Sequence, residues 1–186
     1  MGHHTFDPSR ADKLEQAERR FRFCSAEELH WALDLSPTDV VADLGSGTGF
    51  YTDEVAPQAH EVHAVDIQPD MHEYYREKGV PDNVTLVTSG VDTLPFDDGV
   101  LDAAFSTMTY HEFASADAIA EIRRSIAPDG RLVIVDWVAS GPGENGPPLE
   151  ERYATDEIAA DLRNGGFTIE HAATRSETVL LIATAV

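Results

Sequence analysis

The sequence predicts a doubly wound α/β fold: a mostly parallel seven-stranded sheet with an antiparallel last strand and helices on both faces. Three observations predict it. Short apolar β runs alternate with helical stretches along most of the chain. The first run, Val40–Leu44, leads into a glycine-rich turn and a helix. The last two runs, Thr168–Ala172 and Thr178–Thr184, have no room between them for a crossover helix.

In order, the elements expected are a strand at Val40–Leu44, a helix at Thr52–Ala56, a strand at Glu61–Asp66 and a helix at Pro69–Lys78. A strand at Val84–Thr88, a strand at Leu101–Thr107, a helix at Ala116–Ile126 and a strand at Arg131–Trp137 follow. A helix at Thr155–Asn164 precedes the final strand pair. Runs such as Val40-Val41-Ala42 are apolar without alternation, as parallel strands covered on both faces are. Ahead of them, Arg10–Leu35 reads as one or two helices, with Ser25 and Glu28 spaced as a capping box before Leu29, Trp31 and Leu33. The expected organisation is a helical lid over residues 1–36 and one compact unit over 37–186. The Gly- and Pro-rich stretch Ala139–Leu149 is the one long loop, and loops of that length often belong to a site.

Composition restricts the partners. Among 186 residues, 34 are acidic and 13 basic, for a net charge of −21, and the only lysines are Lys13 and Lys78. Such a surface repels phosphates, which disfavours nucleic acid and anionic membranes. Two readings of the charge stand: a surface for a basic partner, or a solvated shell suited to concentrated salt, where screening removes self-repulsion. The even spread of acids favours the shell and resembles proteins of salt-accumulating archaea. Cys24 is the single cysteine, so paired-thiol chemistry and multi-cysteine metal sites are excluded. No apolar run reaches membrane-spanning length, and the polar N-terminus does not read as a leader, so a cytoplasmic protein is expected.

The strongest chemical signal is Asp43-Leu44-Gly45-Ser46-Gly47-Thr48-Gly49-Phe50 at the end of the first strand. Its G-x-G-x-G spacing behind an acid is neither the dinucleotide G-x-G-x-x-G nor the phosphate-loop G-x-x-x-x-G-K. Taken alone, the glycines also fit an ordinary tight strand-to-helix turn. Asp66, 23 residues after Asp43 at the end of the second strand, is placed to accept hydrogen bonds from two ribose hydroxyls.

The pieces VADLGSGTGF, AVDIQPDM, LPFDDGVLDAAF and IAPDGRLVIVDW, in this order, resemble the class I S-adenosylmethionine-dependent methyltransferases, in particular their ubiquinone/menaquinone-biosynthesis branch. The resemblance is clearest from Val40 to Trp137. It implies a Rossmann-like domain, S-adenosylmethionine as cofactor and S-adenosylhomocysteine as product. It also implies that Asp43 and the loop Gly45, Ser46, Gly47 and Gly49 hold the amino-acid end, that Asp66 binds the ribose, and that Ile67 lies against adenine. Where the branch places an acid for the adenine amino group, this chain has Gly90. Either Asp92 reaches the adenine or the backbone of Gly90 and Val91 does.

Thr107 closes the fourth strand on the cofactor side, and Tyr110, His111 and Glu112 follow where open α/β sheets bind ligands. These three are the candidate catalytic residues. His111 is able to take a proton from a hydroxyl or acidic carbon, or it packs locally; methyl transfer also proceeds by positioning alone. Phe6, Phe21 and Phe23 are lid candidates, Phe21 and Phe23 being better read as docking groups. A metal on His3, His4, His111 and Glu112 requires the N-terminus to fold over the cleft, and none is expected. The predicted function is methyl transfer to a small, apolar or aromatic acceptor, with a homodimer allowed. The alternative is a cofactor-binding regulatory subunit without turnover.

Overall fold

A computed structural model describes residues 8–186. Its single sheet has seven strands: β1 (Val40–Leu44), β2 (Glu61–Asp66), β3 (Val84–Thr88), β4 (Leu101–Thr107), β5 (Ile126–Trp137), β6 (Phe167–Thr174) and β7 (Thr178–Ala185). They lie in the order β3-β2-β1-β4-β5-β7-β6. The pairings among β1 to β5 are parallel, and β7 runs antiparallel between β5 and β6. Strand order reverses between β1 and β4, which opens a crevice at their carboxyl ends.

Alternation along the buried strands divides the core into two layers. Ala42, Leu44, Leu132 and Ile134 face Ile119 and Ile122 of α6 (Ala116–Ser125) and Ile158 and Leu162 of α7 (Thr155–Asn164). Val41, Val133 and Val135 face Leu29 and Leu33 of α2 (Ala26–Leu33) and Tyr51 and Val55 of α3 (Phe50–Val55). Both faces are covered at the centre of the sheet, so the stretches 40–42, 132–135 and 179–183 read as unbroken apolar runs, whereas the edge strand β6 alternates between more and less buried residues. A further helix, α4 (Pro69–Lys78), starts on a proline suited to its first turn and buries Met71 and Tyr75.

The amino-terminal segment comprises a 3-10 stretch at Pro8–Glu15, α1 (Ala17–Phe23) and α2. Ser25 Oγ accepts from the Glu28 N–H at 3.1 Å, capping α2, but the Glu28 carboxylate pairs with Arg175 at 2.7 Å. Among the described residues, only the Ser25 half of the capping box forms.

Several boundaries differ from expectation, α6 ending one residue early at Ser125 among them. α3 begins at Phe50, two residues early, because Gly49 at φ +80 turns the chain straight into the helix. β5 begins at Ile126 rather than Arg131: Leu101 pairs with Ile126 and Ala103 with Arg131, a register shift whose extra residues lie in β5, and Asp129, at φ +64, carries the strand through Pro-Asp-Gly. The β6–β7 hairpin extends to 167–185 because each strand finds a full partner. Among the described residues, no helix is long and apolar enough to cross a membrane.

Candidate active site

The glycine turn is held from beneath by the neighbouring strand. Gly45 and Ser46 N–H groups both donate to the Val65 carbonyl at 2.9 Å, and Gly47 N–H donates to Asp66 Oδ2 at 2.8 Å. Asp66 Oδ1 accepts from Gln68 N–H at 2.8 Å. Asp66 thus ties the loop after β1 to the loop after β2, while each carboxylate oxygen keeps capacity for a further donor. Burial raises its pKa, against the opposing pull of those two backbone bonds. Gly45, at φ +81, must be glycine for a second reason: a Cβ there would stand 2.3 Å from Thr109 Cγ2.

Around this loop lies a cavity of about 220 Å³. Of the cofactor residues expected from sequence, Gly45, Ser46, Gly47, Asp66, Ile67, Gly90, Val91, Asp92 and Thr107 line it together. Ile67 is 60% exposed, so it presents a bare apolar side chain to the space. Both Gly90–Val91 and Asp92 are on the wall, and the Asp92 carboxylate accepts from Thr93 Oγ1 at 3.4 Å.

Two expected residues lie elsewhere. Asp43 is buried under the loop rather than on the wall; Thr52 Oγ1 donates to its Oδ2 at 2.6 Å, and its Oδ1 has no hydrogen-bond partner among the described residues. Burial pushes this carboxyl up to about 7. Gly49 sits against the Tyr75 ring, where a Cβ would approach Cε1 to 2.1 Å. Its role is to let α3 and α4 close together.

The candidate catalytic residues open the short helix α5 (Tyr110–Phe113). Only Glu112 of the three lines the cavity. Tyr110 points the other way, fully buried with its ring 5.5 Å from Phe113 and 5.8 Å from Tyr153, so it acts as core rather than facing a substrate. His111 lies behind Glu112. Its backbone N–H donates to Asp136 Oδ2 at 2.7 Å, and its Nδ1 is 3.0 and 3.1 Å from the two Asp136 oxygens. His111 Nε2 is 4.0 Å from Glu112 Oε1.

Several wall residues escaped sequence reasoning. Arg20, from α1, lines the cavity with its guanidinium 5.6 Å from the Phe50 ring centre and 4.7 Å from that of Tyr51. Its Nε has no hydrogen-bond partner among the described residues. Leu14 covers Gly47 at 3.4 Å from where a Cβ would stand. Glu15 accepts from Thr48 Oγ1 and from Lys78 Nζ, the latter at 3.2 Å, which fixes the segment over the loop. Phe21 docks on Phe50 and Tyr51, and Phe23 on Trp137, neither reaching the cavity. Met108, at φ +62, and Phe113 complete an apolar side next to Glu112. A charged residue on a leading helix carries no local mark of the site it faces; nothing in the sequence singles out Arg20 from Arg19 and Arg22. His3, His4 and Phe6 lie outside the described residues.

The long loop after β5 packs on Trp137, and none of its residues 139–149 lines the cavity. Gly146, at φ +79, lies against the Trp137 ring, and Arg152 donates to the carbonyls of Asn145 and Pro147.

Residues 42–134 match the family described as methyltransferase domain. An uncharacterised methyltransferase of Mycobacterium tuberculosis is 32% identical over 142 residues, 70% of this chain and 57% of that protein. The demethylmenaquinone methyltransferase of Mycolicibacterium gilvum is 35% identical over 109 residues, 57% of this chain and 45% of that protein. The chain thus spans about half the length of the curated relatives it matches. Among solved structures, a SAM-dependent methyltransferase from Aquifex aeolicus superposes with a TM-score of 0.86 at 28% identity, covering 98% of this chain and 100% of that one. With the sheet order, the glycine turn and this match over half its length, the chain belongs to the methyltransferase domain family.

Proposed function

We propose that the protein transfers a methyl group from S-adenosylmethionine to a small acceptor with an apolar or aromatic body, releasing S-adenosylhomocysteine. One observation carries the cofactor assignment. A single cavity gathers a paired but unsaturated carboxylate (Asp66), an exposed apolar side chain (Ile67) and two polar wall residues, Ser46 and Arg20, whose Oγ and Nε have no hydrogen-bond partner among the described residues. These match the parts of the cofactor: a ribose diol for Asp66, a flat adenine for Ile67 and Gly90–Asp92, and an amino-acid end for Arg20 and the loop. Asp43 supports that end from beneath the loop without touching the cavity. An acid at Asp66 disfavours a 2′-phosphate, and the absence of a lysine from the loop disfavours a nucleoside triphosphate.

When bound, the cofactor supplies an electrophilic methyl on a cationic sulfur. The protein's own part is to orient and enclose. Leu14 and Arg20 cover the loop from the amino-terminal side, which limits water access in the cavity. Met108 and Phe113 give the acceptor side an apolar wall beside the single carboxyl of Glu112. A net charge of −21 and the cavity's small size support a small molecule over nucleic acid. A quinone-type ring is one acceptor of this kind, in keeping with the Mycolicibacterium relative. The reading is of a cytoplasmic enzyme with an acidic shell suited to concentrated salt.

Titration calorimetry in molar KCl with S-adenosylmethionine, S-adenosylhomocysteine, NAD and ATP tests it. Selective micromolar binding of the first two is expected. A folded protein that binds neither overturns the assignment.

A further inference from the structure

The residues around Glu112 hold more chemistry than cofactor binding needs. Asp136, the next-to-last residue of β5, is buried, with its carboxylate accepting from the backbone N–H and facing the Nδ1 of His111. A carboxylate only accepts, so this geometry puts the ring proton of neutral His111 on Nδ1 and leaves the Nε2 lone pair directed to the Glu112 side. Glu112 Oε1 stands 4.0 Å from Nε2, with side-chain exposures of 8% for His111 and 19% for Glu112. The three groups form a line from the core to the cavity: Asp136, His111, Glu112.

We propose that Glu112 and His111 share one exchangeable proton under the control of Asp136, and that Glu112, not His111, takes a proton from whatever molecule occupies the cavity. This deepens the methyltransferase reading and rests on it for the identity of the occupant. It assigns His111 and Asp136 as positioning residues, and it selects acceptors that surrender a proton on methylation: a hydroxyl, a thiol or an acidic carbon.

The groups facing this pair favour a proton held between them. Burial drives the Glu112 carboxyl up to about 7; the charge of His111 opposes this, while Asp66, Asp136 and Glu151 add to it. Burial alone would lower the His111 pKa, but its bond to Asp136 and the charges of Asp136, Glu112 and Glu151 more than offset that and raise it. Each group of the pair therefore holds a proton more readily than an exposed glutamate or histidine does.

The balance of the step also fits a buried site. The acceptor's proton passes to the Glu112 carboxylate beside protonated His111, and the freed electron pair makes the new bond to the methyl carbon. The pair of the broken sulfur–carbon bond stays on sulfur. One positive charge disappears from sulfur as one appears on the Glu112–His111 pair, so the net charge of the cavity does not change. Moving charge without creating it avoids the penalty that a low-dielectric site imposes.

The test begins with the ligand-free full chain, labelled with 15N-histidine. Neutral His111 is expected to carry its proton on Nδ1, and Glu112→Gln is expected to lower the His111 midpoint by roughly 1 pH unit, because an opposite charge has been removed. Asp136→Asn is expected to move the neutral proton to Nε2. An unmoved His111 titration in folded Glu112→Gln, or a wild-type proton on Nε2, overturns the shared proton. Should Glu112→Gln fail to fold, wild type labelled at the glutamate carboxyl carbons decides instead: one glutamate titrating near neutral, coupled to His111, is expected, and none doing so overturns it.

Calorimetry in buffers of different ionisation heat then tests the cavity-facing role. Binding of cationic S-adenosylmethionine at neutral pH is expected to release more proton than binding of uncharged-sulfur S-adenosylhomocysteine, with the difference lost in Glu112→Gln. Equal release by the two ligands overturns that role. Failure of either ligand to bind would sink the cofactor reading, while the histidine titration still decides whether the proton is shared.

Discussion

Replacing Asp43 by Asn is expected to stabilise the ligand-free protein above neutral pH. Asp43 is 1% exposed, and burial raises its carboxyl from an ordinary 3.8 to about 7 despite the bond from Thr52 and the charge of Arg20. Between these two values the native state binds a proton that the unfolded chain has released, so stability falls as pH rises through the window. At about 1.4 kcal/mol per pH unit, the ionised group costs roughly 4 kcal/mol at pH 8 and roughly 2 kcal/mol at pH 5. Asn removes the ionisation cost and its carbonyl keeps the Thr52 bond, but its amide meets the position where Oδ1 has no partner among the described residues, an unpaired donor worth about 1–3 kcal/mol. The net expectation is a variant about 1–3 kcal/mol more stable than wild type at pH 8 and about equal to it at pH 5. Urea unfolding of both proteins at the two pH values, in one fixed KCl concentration, reads this directly. Glu112, also raised to about 7, tilts both curves alike and cancels in the difference. A variant less stable at pH 8, or a gap that does not change with pH, refutes the account of Asp43.

Other outcomes follow from the same geometry. Asp66→Ala removes the acceptor for Gly47 and Gln68 N–H groups as well as the proposed ribose partner, so S-adenosylmethionine affinity should fall by about 10- to 100-fold in calorimetry, from a loss of about 1.5–3 kcal/mol. Unchanged affinity in the folded variant would remove Asp66 from the binding site. Gly49→Ala places a Cβ 2.1 Å from the Tyr75 ring at φ +80, and should lower the melting temperature by several degrees or prevent folding; a wild-type melting curve would contradict it. With 34 acids against 13 basic residues, the melting temperature should rise with KCl over the molar range, and a flat response would reject the salt-adapted shell.

Much of the architecture was written locally. β1, β2, β3 and β4 and the helices α4 and α7 fall at the expected residues because short apolar runs bounded by Gly, Pro and Asp need nothing distant to define them. The start of β5 was not legible, since Pro-Asp-Gly reads as a turn and only the pairing of Ile126 with Leu101 across a bulge makes it strand.

By itself the sequence determined the sheet, the glycine turn and the carboxylate at the end of β2, because each is a short-range pattern whose spacing carries its own geometry. Tertiary structure alone decided which neighbours of the turn face the cavity. Asp43 and Gly49 belong to the same ungapped motif as Gly45 and Gly47, yet they turn inward to support the loop, since the direction of each side chain depends on packing across the sheet. It also decided the order of Asp136, His111 and Glu112. Twenty-five residues separate His111 from Asp136 along the chain, and only the pairing of β4 with β5 brings the carboxylate behind the imidazole and leaves Glu112 on the wall. Arg20 joins them for the same reason: its segment is placed by Glu15, Phe21 and Phe23 docking on distant elements, a set of contacts that no local pattern encodes.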